Sequence, residues 1–283
     1  MKKIIALAVA TAFVAPVYAA DISISGSQEF SWADGNGTTT SDVDGVVSIK
    51  ATDELANGMT VSADINISEE AGADGGSSLT LAGEFGTLDL GDTSSAIDAV
   101  DDITEFGVAA FSGTGGTDAN VLWTLPSIAP GLTVNVSASA QSQTGAGQDA
   151  EAESTGVSIK YATELFSVAY GTQDNDDGSS HTLMNGSVSM NGFTVAVEQF
   201  TDTSDTSVDT DTDNVGVKYA MGDITFMIEN TETSSTDSAV VKTDITAVGV
   251  HYAMGPVSFF AEQKDDDLND ATETTYFGAV YKF

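Results

Sequence analysis

A sixteen-stranded antiparallel transmembrane β-barrel is the fold this all-β sequence predicts, and three observations carry the prediction. Apolar residues recur at every second position over stretches of eight to twelve, connections alternate between short and long, and one hairpin-sized segment recurs in near copy. The alternation is plainest where Val61, Ala63, Ile65 and Ile67 interleave with Ser62, Asp64, Asn66 and Ser68. It recurs where Leu132, Val134, Val136, Ala138 and Ala140 interleave with Thr133, Asn135, Ser137, Ser139 and Gln141. A period of two sends these residues to opposite faces of a strand, and almost no helical stripe competes with it.

The first residues stand apart from this pattern. Lys2 and Lys3 precede an apolar run, 4–17, that ends in Val17-Tyr18-Ala19, the form of a secretory signal peptide cleaved after Ala19 or Ala20. The run falls short of the roughly 20 apolar residues of a membrane-spanning helix. Residues 1–19 are therefore expected to be the signal peptide and 20–283 the barrel.

Strands follow near 21–32, 43–51, 59–68, 77–85, 86–92, 119–126, 131–141 and 154–162, then near 165–173, 181–190, 192–201, 213–221, 222–232, 243–254, 255–264 and 273–283. The short connections are 52–58, 84–87, 126–131, 162–165, 190–193, 220–223 and 253–256. Between them lie longer segments rich in Asp, Gly, Ser and Thr: 33–42, 69–76, 93–118, 142–153, 174–180, 202–212, 233–242 and 265–272. This strict alternation places both termini on the short-turn side. VSIKYATELFSVAYG (157–171), VGVKYAMGDITFMIE (215–229) and VGVHYAMGPVSFFAE (248–262) are near copies, and 47–65 is a longer version. A hairpin cannot bury one face alone, so tandem copies imply closure into a barrel or stacking into a solenoid.

The phases of these hairpins say which face is wet. Val157, Ile159, Tyr161, Val215, Val217 and Tyr219 share the apolar phase, whereas Ser158, Lys160, Gly216 and Lys218 share the other. Apolar outward and polar inward is the membrane-barrel pattern, because a Lys on the lipid face costs roughly 2 to 4 kcal/mol at midplane. Tyr161, Tyr219, Tyr252 and Phe283 fall where an aromatic girdle near the short turns belongs, with Phe30 and Trp32 suited to the other rim. Gln28, Gln199, Asn230 and Gln263 break the apolar phase.

Composition removes whole classes of function. The 283 residues hold 8 basic side chains, all Lys, against 43 acidic ones, a net charge of −35. A chain without Arg and so acidic has no electrostatic footprint for a phosphate backbone, which argues against nucleic acid. It has no Cys, so disulfide scaffolds, thiolate metal sites and Cys nucleophiles are excluded together. His181 and His251 are the only histidines and make neither a zinc ligand set nor a triad, so no enzyme is expected.

With the signal-like start followed by Asp21-Ile22-Ser23-Ile24-Ser25-Gly26, the repeated hairpins, the long segment 93–118 and the ending YFGAVYKF (276–283), the chain resembles the general porins of Gram-negative outer membranes. Within them it is most similar to the short alphaproteobacterial-type porins. The resemblance implies short periplasmic turns, long outer loops and a third loop folded into the lumen. It also implies a homotrimer of water-filled pores passing ions and small hydrophilic solutes, and a terminal aromatic, here Phe283, read by the outer-membrane assembly machinery. Such porins usually set an arginine cluster opposite the third loop, and this chain has none.

The candidate selectivity residues lie in that loop. Asp98, Asp101, Asp102 and Glu105 are spaced to point into one lumen while Ile97, Val100, Ile103 and Phe106 pack against the wall; the other reading is a solvated acidic outer loop. Counting from the turns exposes an acidic belt of Asp64, Glu198, Glu229 and Glu262 on the inward phase. Lys50, Lys160, Lys218, His251 and Lys282 share that phase nearer the turns, as a basic belt about 10 to 15 Å below. The sum predicts a cation-preferring pore.

DNDDG (174–178) and DTDTDN (209–214) look like calcium loops but lack Gly at the sixth position and Glu at the twelfth. No cofactor is expected beyond weak Ca or Mg binding in acidic outer loops, bridging lipopolysaccharide phosphates at the lipid boundary. A secreted acidic β-solenoid or surface-adhesion protein would share the composition, but needs neither a terminal aromatic nor strict turn alternation. A secreted hydrolase lacks an assembled nucleophile and base.

Overall fold

A computed structural model of the chain describes residues 20–35, 37–68, 74–101, 107, 118–140, 153–237, 242–266 and 273–283. The expected signal peptide lies outside them. The strands are β1 (Asp21–Gly35), β2 (Thr38–Glu54), β3 (Thr60–Ser68), β4 (Asp74–Gly83), β5 (Gly86–Ser94), β6 (Asp118–Thr124), β7 (Leu132–Ser139) and β8 (Ser154–Ala162). They continue as β9 (Phe166–Asn175), β10 (Ser180–Met190), β11 (Phe193–Thr203), β12 (Asp209–Met221), β13 (Ile224–Ser235), β14 (Thr243–Met254), β15 (Val257–Asp266) and β16 (Thr274–Lys282). Every strand pairs antiparallel with its chain neighbours, and β1 pairs with β16 from Ser27↔Lys282 to Gly35↔Thr274, closing the barrel. A closed ring leaves no free edge, as lipid requires, and excludes a solenoid.

The short turns obey local chemistry. At Met190–Phe193 both central residues, Asn191 (φ 53°) and Gly192 (φ 83°), are left-handed, the backbone of a two-residue hairpin whose twist matches its strands. Closure is equally local. Phe283 and Gly26 exchange two backbone hydrogen bonds of 3.0 Å, and the Phe283 ring lies over Gly26, where an added Cβ would come within 2.7 Å of it.

Two segments expected as long loops are largely strand. β1 and β2 run to Gly35 and from Thr38, so most of 33–42 is paired, and β12 begins at Asp209, inside the expected loop 202–212. Polarity was misleading there because β-branched Thr suits a pleated strand and hydroxyls satisfy carboxylates across it: Thr201 to Asp211 at 2.6 Å and Thr203 to Asp209 at 2.8 Å.

Exposure separates the two faces. Val157, Ile159, Val195, Val197, Ile228 and Val250 are exposed outward, while Asn135, Ser158, Asn185 and Asn214 are buried inward. The apolar core of the described residues is a small cluster on the inner wall, Ile97, Val100, Ala169 and Leu183 with Phe200 against it. Two of those residues belong to the third loop.

Candidate functional site: the lumen and its entering loop

The third loop begins at an irregularity that turns it inward. The β5–β6 register shifts between Leu90 and Thr93 around Gly91 (φ 107°), where a Cβ would collide with the Ser77 carbonyl. The chain then buries Ser95, Ala96 and Ile97 and forms one 3-10 turn at Asp98–Val100. Three contacts pin this stretch to the wall. The Ala96 N–H donates to Ser137 Oγ (2.8 Å), Asn185 Nδ2 donates to the Val100 carbonyl (2.7 Å), and Ile97 seats against Gly171, whose added Cβ would stand 3.1 Å from it. Ile97 and Val100 thus pack against the wall, and the loop's start lies inside the barrel rather than in outer solvent.

Of the four candidate selectivity acids, Asp98 and Asp101 sit half-exposed on this pinned turn. Asp102 and Glu105 lie outside the described residues, as do Ile103, Phe106 and the GTGG at 113–116.

On the wall, Asp64, Glu198, Glu229 and Glu262 all face inward, and the three glutamates are nearly inaccessible, at 4%, 3% and 2% exposure. Ser48 Oγ donates to Asp64 Oδ1 at 2.7 Å, Thr231 Oγ1 to Glu229 Oε1 at 3.3 Å, and Asn185 Nδ2 reaches Glu198 Oε2 at 3.5 Å. Lys50, Lys160, Lys218, His251 and Lys282 also take the inward phase.

The expected separation between the two belts holds only in part. Lys218 lies four residues from Asn214, the partner of Glu198, about 13 Å along the strand. Lys50, however, is directly opposite Asp64, and His251 Nε2 meets Glu262 Oε1 at 2.6 Å. Counting from turns ignored their unequal length: the seven-residue turn 52–58 shifts Lys50 up to its acid, and the long His and Glu side chains bridge one diagonal step. The belts therefore merge at β2–β3 and β14–β15, and at β12–β13 Lys218 stands one diagonal step from Glu229.

The inner wall also carries charges that sequence reasoning missed. Glu29 faces Asp44 across β1–β2 and lies within electrostatic range of Asp42 and Glu262, Asp89 accepts from Thr80 Oγ1 on the inside of β5, and Lys264 stands two residues above Glu262. Extending the period-two count through β1, β2 and β5 would have found them.

The two calcium-like motifs have other uses. Residues 209–214 are strand, with Asp209, Asp211 and Asp213 facing outward and bonded to Thr203, Thr201 and Gln199. In 174–178 the chain turns, and Asp177 accepts from both the hydroxyl and the N–H of Ser179, which holds its carboxyl below the usual carboxylate range. His181 stacks on Phe200 and lies 3.5 Å from Asp202.

Outside, rings gather at the short-turn end of β8 to β16: Tyr161 near Phe166, Phe193 stacked on Tyr219 at 4.2 Å, and Tyr281 on Phe283. Trp32 packs on Phe277 and Phe30 toward the other rim. The outward amides that broke the apolar phase find partners next door. Gln199 donates to Asp213 (2.9 Å), Asn230 to Asp244 (2.8 Å), Gln263 to Glu273 and Gln28 to the Asp44 carbonyl (2.9 Å).

Comparison with known proteins agrees with this architecture. The family model of Gram-negative porins matches residues 6–283. Among solved structures, an anion-selective porin from Comamonas acidovorans superposes with a TM-score of 0.75 at 12% identity, covering 93% of this chain and 100% of that one. The trimer form of OmpT, an outer membrane protein of Vibrio cholerae, gives 0.74 at 13%, covering 94% and 100%. A porin refined at 1.8 Å gives 0.74 at 16%, covering 93% and 100%. At these identities the likeness is one of fold. No curated protein sequence matches the chain.

Proposed function

The chain belongs to the Gram-negative porin family and forms a diffusion channel across the outer membrane, and we propose that this channel passes ions and small hydrophilic solutes with a preference for cations. The observation that carries the preference is the sign of the lining. A loop turn bearing Asp98 and Asp101 is pinned inside a lumen whose inward Glu29, Asp42, Asp44, Asp64, Asp89, Glu198, Glu229 and Glu262 outnumber its lysines. Fixed carboxylates on a narrow water path raise the local cation concentration and exclude anions. An anion-selective porin shares the fold, so the sign rests on these side chains and not on the barrel. The test is single-channel recording in a planar bilayer under a salt gradient: a cation-selective reversal potential supports the reading, and an anion-selective one overturns it.

The outer wall supports assembly as a homotrimer. The aromatic girdle is interrupted over β1 to β3, where outward positions near the short turns hold Ile22, Ile24, Ala51, Val61 and Ala63, before Phe85 in the β4–β5 turn and Trp123 on β6 resume it. A face without headgroup-level aromatics suits another copy of the chain better than lipid. The trimer form of a structural neighbour supports the same reading. Phe283, at the seam, is the residue offered to the assembly machinery after cleavage of residues 1–19. The outward acids Asp209, Asp211 and Asp213 face the level of lipopolysaccharide headgroups, where Ca or Mg bridges them.

A further inference from the structure

Three inward oxygens on the lumen wall have no hydrogen-bond partner although their residues are more than nine-tenths buried: Asn185 Oδ1, Asn214 Oδ1 and Glu229 Oε2. They sit close in register. Asn185 on β10 is opposite Glu198 on β11, Glu198 is opposite Asn214 on β12, and Glu229 on β13 lies one diagonal step from Asn214, beside Gly216. Lys218, the nearest base in register, gives no hydrogen bond to Glu229 Oε2.

A buried carboxylate oxygen left unpaired is costly, and buried polar orphans in native proteins point to a bound water or ion. Two carboxylates and the Asn214 amide carbonyl make an all-oxygen set, which selects a hard cation over a soft one. Its two negative charges match a divalent ion. Calcium tolerates irregular ligand geometry at 2.3 to 2.6 Å, so oxygens within about 5 Å of one another suffice. Glu198 is directly opposite Asn214 and Glu229 is one diagonal step from it, a backbone separation of about 7 to 8 Å that inward Glu and Asn side chains can span. We propose that Glu198, Asn214 and Glu229, with Asn185 Nδ2 reaching Glu198 from the neighbouring strand, seat a hard divalent cation of the calcium type against the lumen wall. The ion ties β11, β12 and β13 together and neutralises two of the wall's acids. The seat is distinct from the outer-rim carboxylates of 209–213, which face away from the lumen, and it does not depend on the pore's ion preference.

The experiment uses the purified full-length channel, stripped with chelator and then titrated with Ca2+ at constant ionic strength. Binding is followed by calorimetry and thermal unfolding by the heat-induced shift on gels. The wild type should bind Ca2+ and unfold at a higher midpoint with it than with Na+ of equal ionic strength. Glu229→Gln should weaken binding at least about tenfold and abolish the shift. Asn214→Ser, the milder change, should weaken both if Glu229→Gln does not fold. Asp205→Asn, in an exposed outer turn, should leave both unchanged. Mg2+ acting like Ca2+ in the wild type and failing in Glu229→Gln supports the same seat. A wild type indifferent to Ca2+ overturns the proposal, as does a folded Glu229→Gln or Asn214→Ser with the full Ca2+ response.

Discussion

The Ser137 hydroxyl on the barrel wall accepts a 2.8 Å hydrogen bond from the N–H of Ala96 at the root of the third loop, a buried contact that, with Asn185 and the Val100 carbonyl, fixes where that loop enters the lumen. If the proposed filter charges lie on this loop, the loop must be held, because a charge that moves with it screens the path only part of the time.

Removing both pins should therefore loosen the constriction without opening the barrel. Ser137→Ala with Asn185→Leu leaves the Ala96 N–H and the Val100 carbonyl buried and unpaired, at about 1 to 3 kcal/mol each. Single-channel steps should become larger and noisier, while circular dichroism keeps its β signature. Each single variant should show about half of the effect.

Barrel closure depends on two glycines. A Cβ at Gly26 meets the Val46 carbonyl and the Phe283 ring, and one at Gly278 meets the Phe30 carbonyl and the Phe260 ring. Gly26→Val and Gly278→Val should each prevent the compact, heat-modifiable form on gels. Gly186→Ala, whose Cβ would find only ordinary contact at 3.5 Å, should fold like the wild type.

The His251–Glu262 contact is a wall brace. Glu262 is 2% exposed and its Oε1 lies 2.6 Å from His251 Nε2. Hydrogen bonds to charged groups contribute about 1.5 to 3 kcal/mol. His251→Phe keeps the ring and removes the bond, so a loss of unfolding free energy of that size is expected, read as a lowered urea midpoint.

The proposed trimer face has a direct chemical test, since the chain has no Cys. A single cysteine at Ala63, outward on β3 within the girdle gap, should cross-link copies in the membrane under a short bifunctional reagent. One at Val250, outward on β14, should not.

What the sequence disclosed and what it withheld divide along physical lines. Period-two alternation identified all sixteen strands, and tight turns such as Met190–Phe193 were legible because Asn-Gly tolerates the left-handed backbone they require. The outer ends of β1, β2 and β12 were hidden, since polar Thr and Asp read as loop until cross-strand hydroxyl–carboxylate bonds are seen. Inward phase was legible for the acids and lysines, but their relative height was not. Asp64 meets Lys50 because register depends on how many residues each turn consumes. Ser137 and Asn185 gave no signal, as one more small polar residue on a wet face looks like any other.

The central claim is that acids held in the lumen set the ion preference, and the most direct measurement is the reversal potential of single channels under a salt gradient, wild type against the quadruple variant Asp98→Asn, Asp101→Asn, Asp102→Asn, Glu105→Gln. The account predicts a cation-selective wild type and a variant whose cation-to-anion permeability ratio falls toward unity. An unchanged ratio in the variant, or an anion-selective wild type, would contradict it.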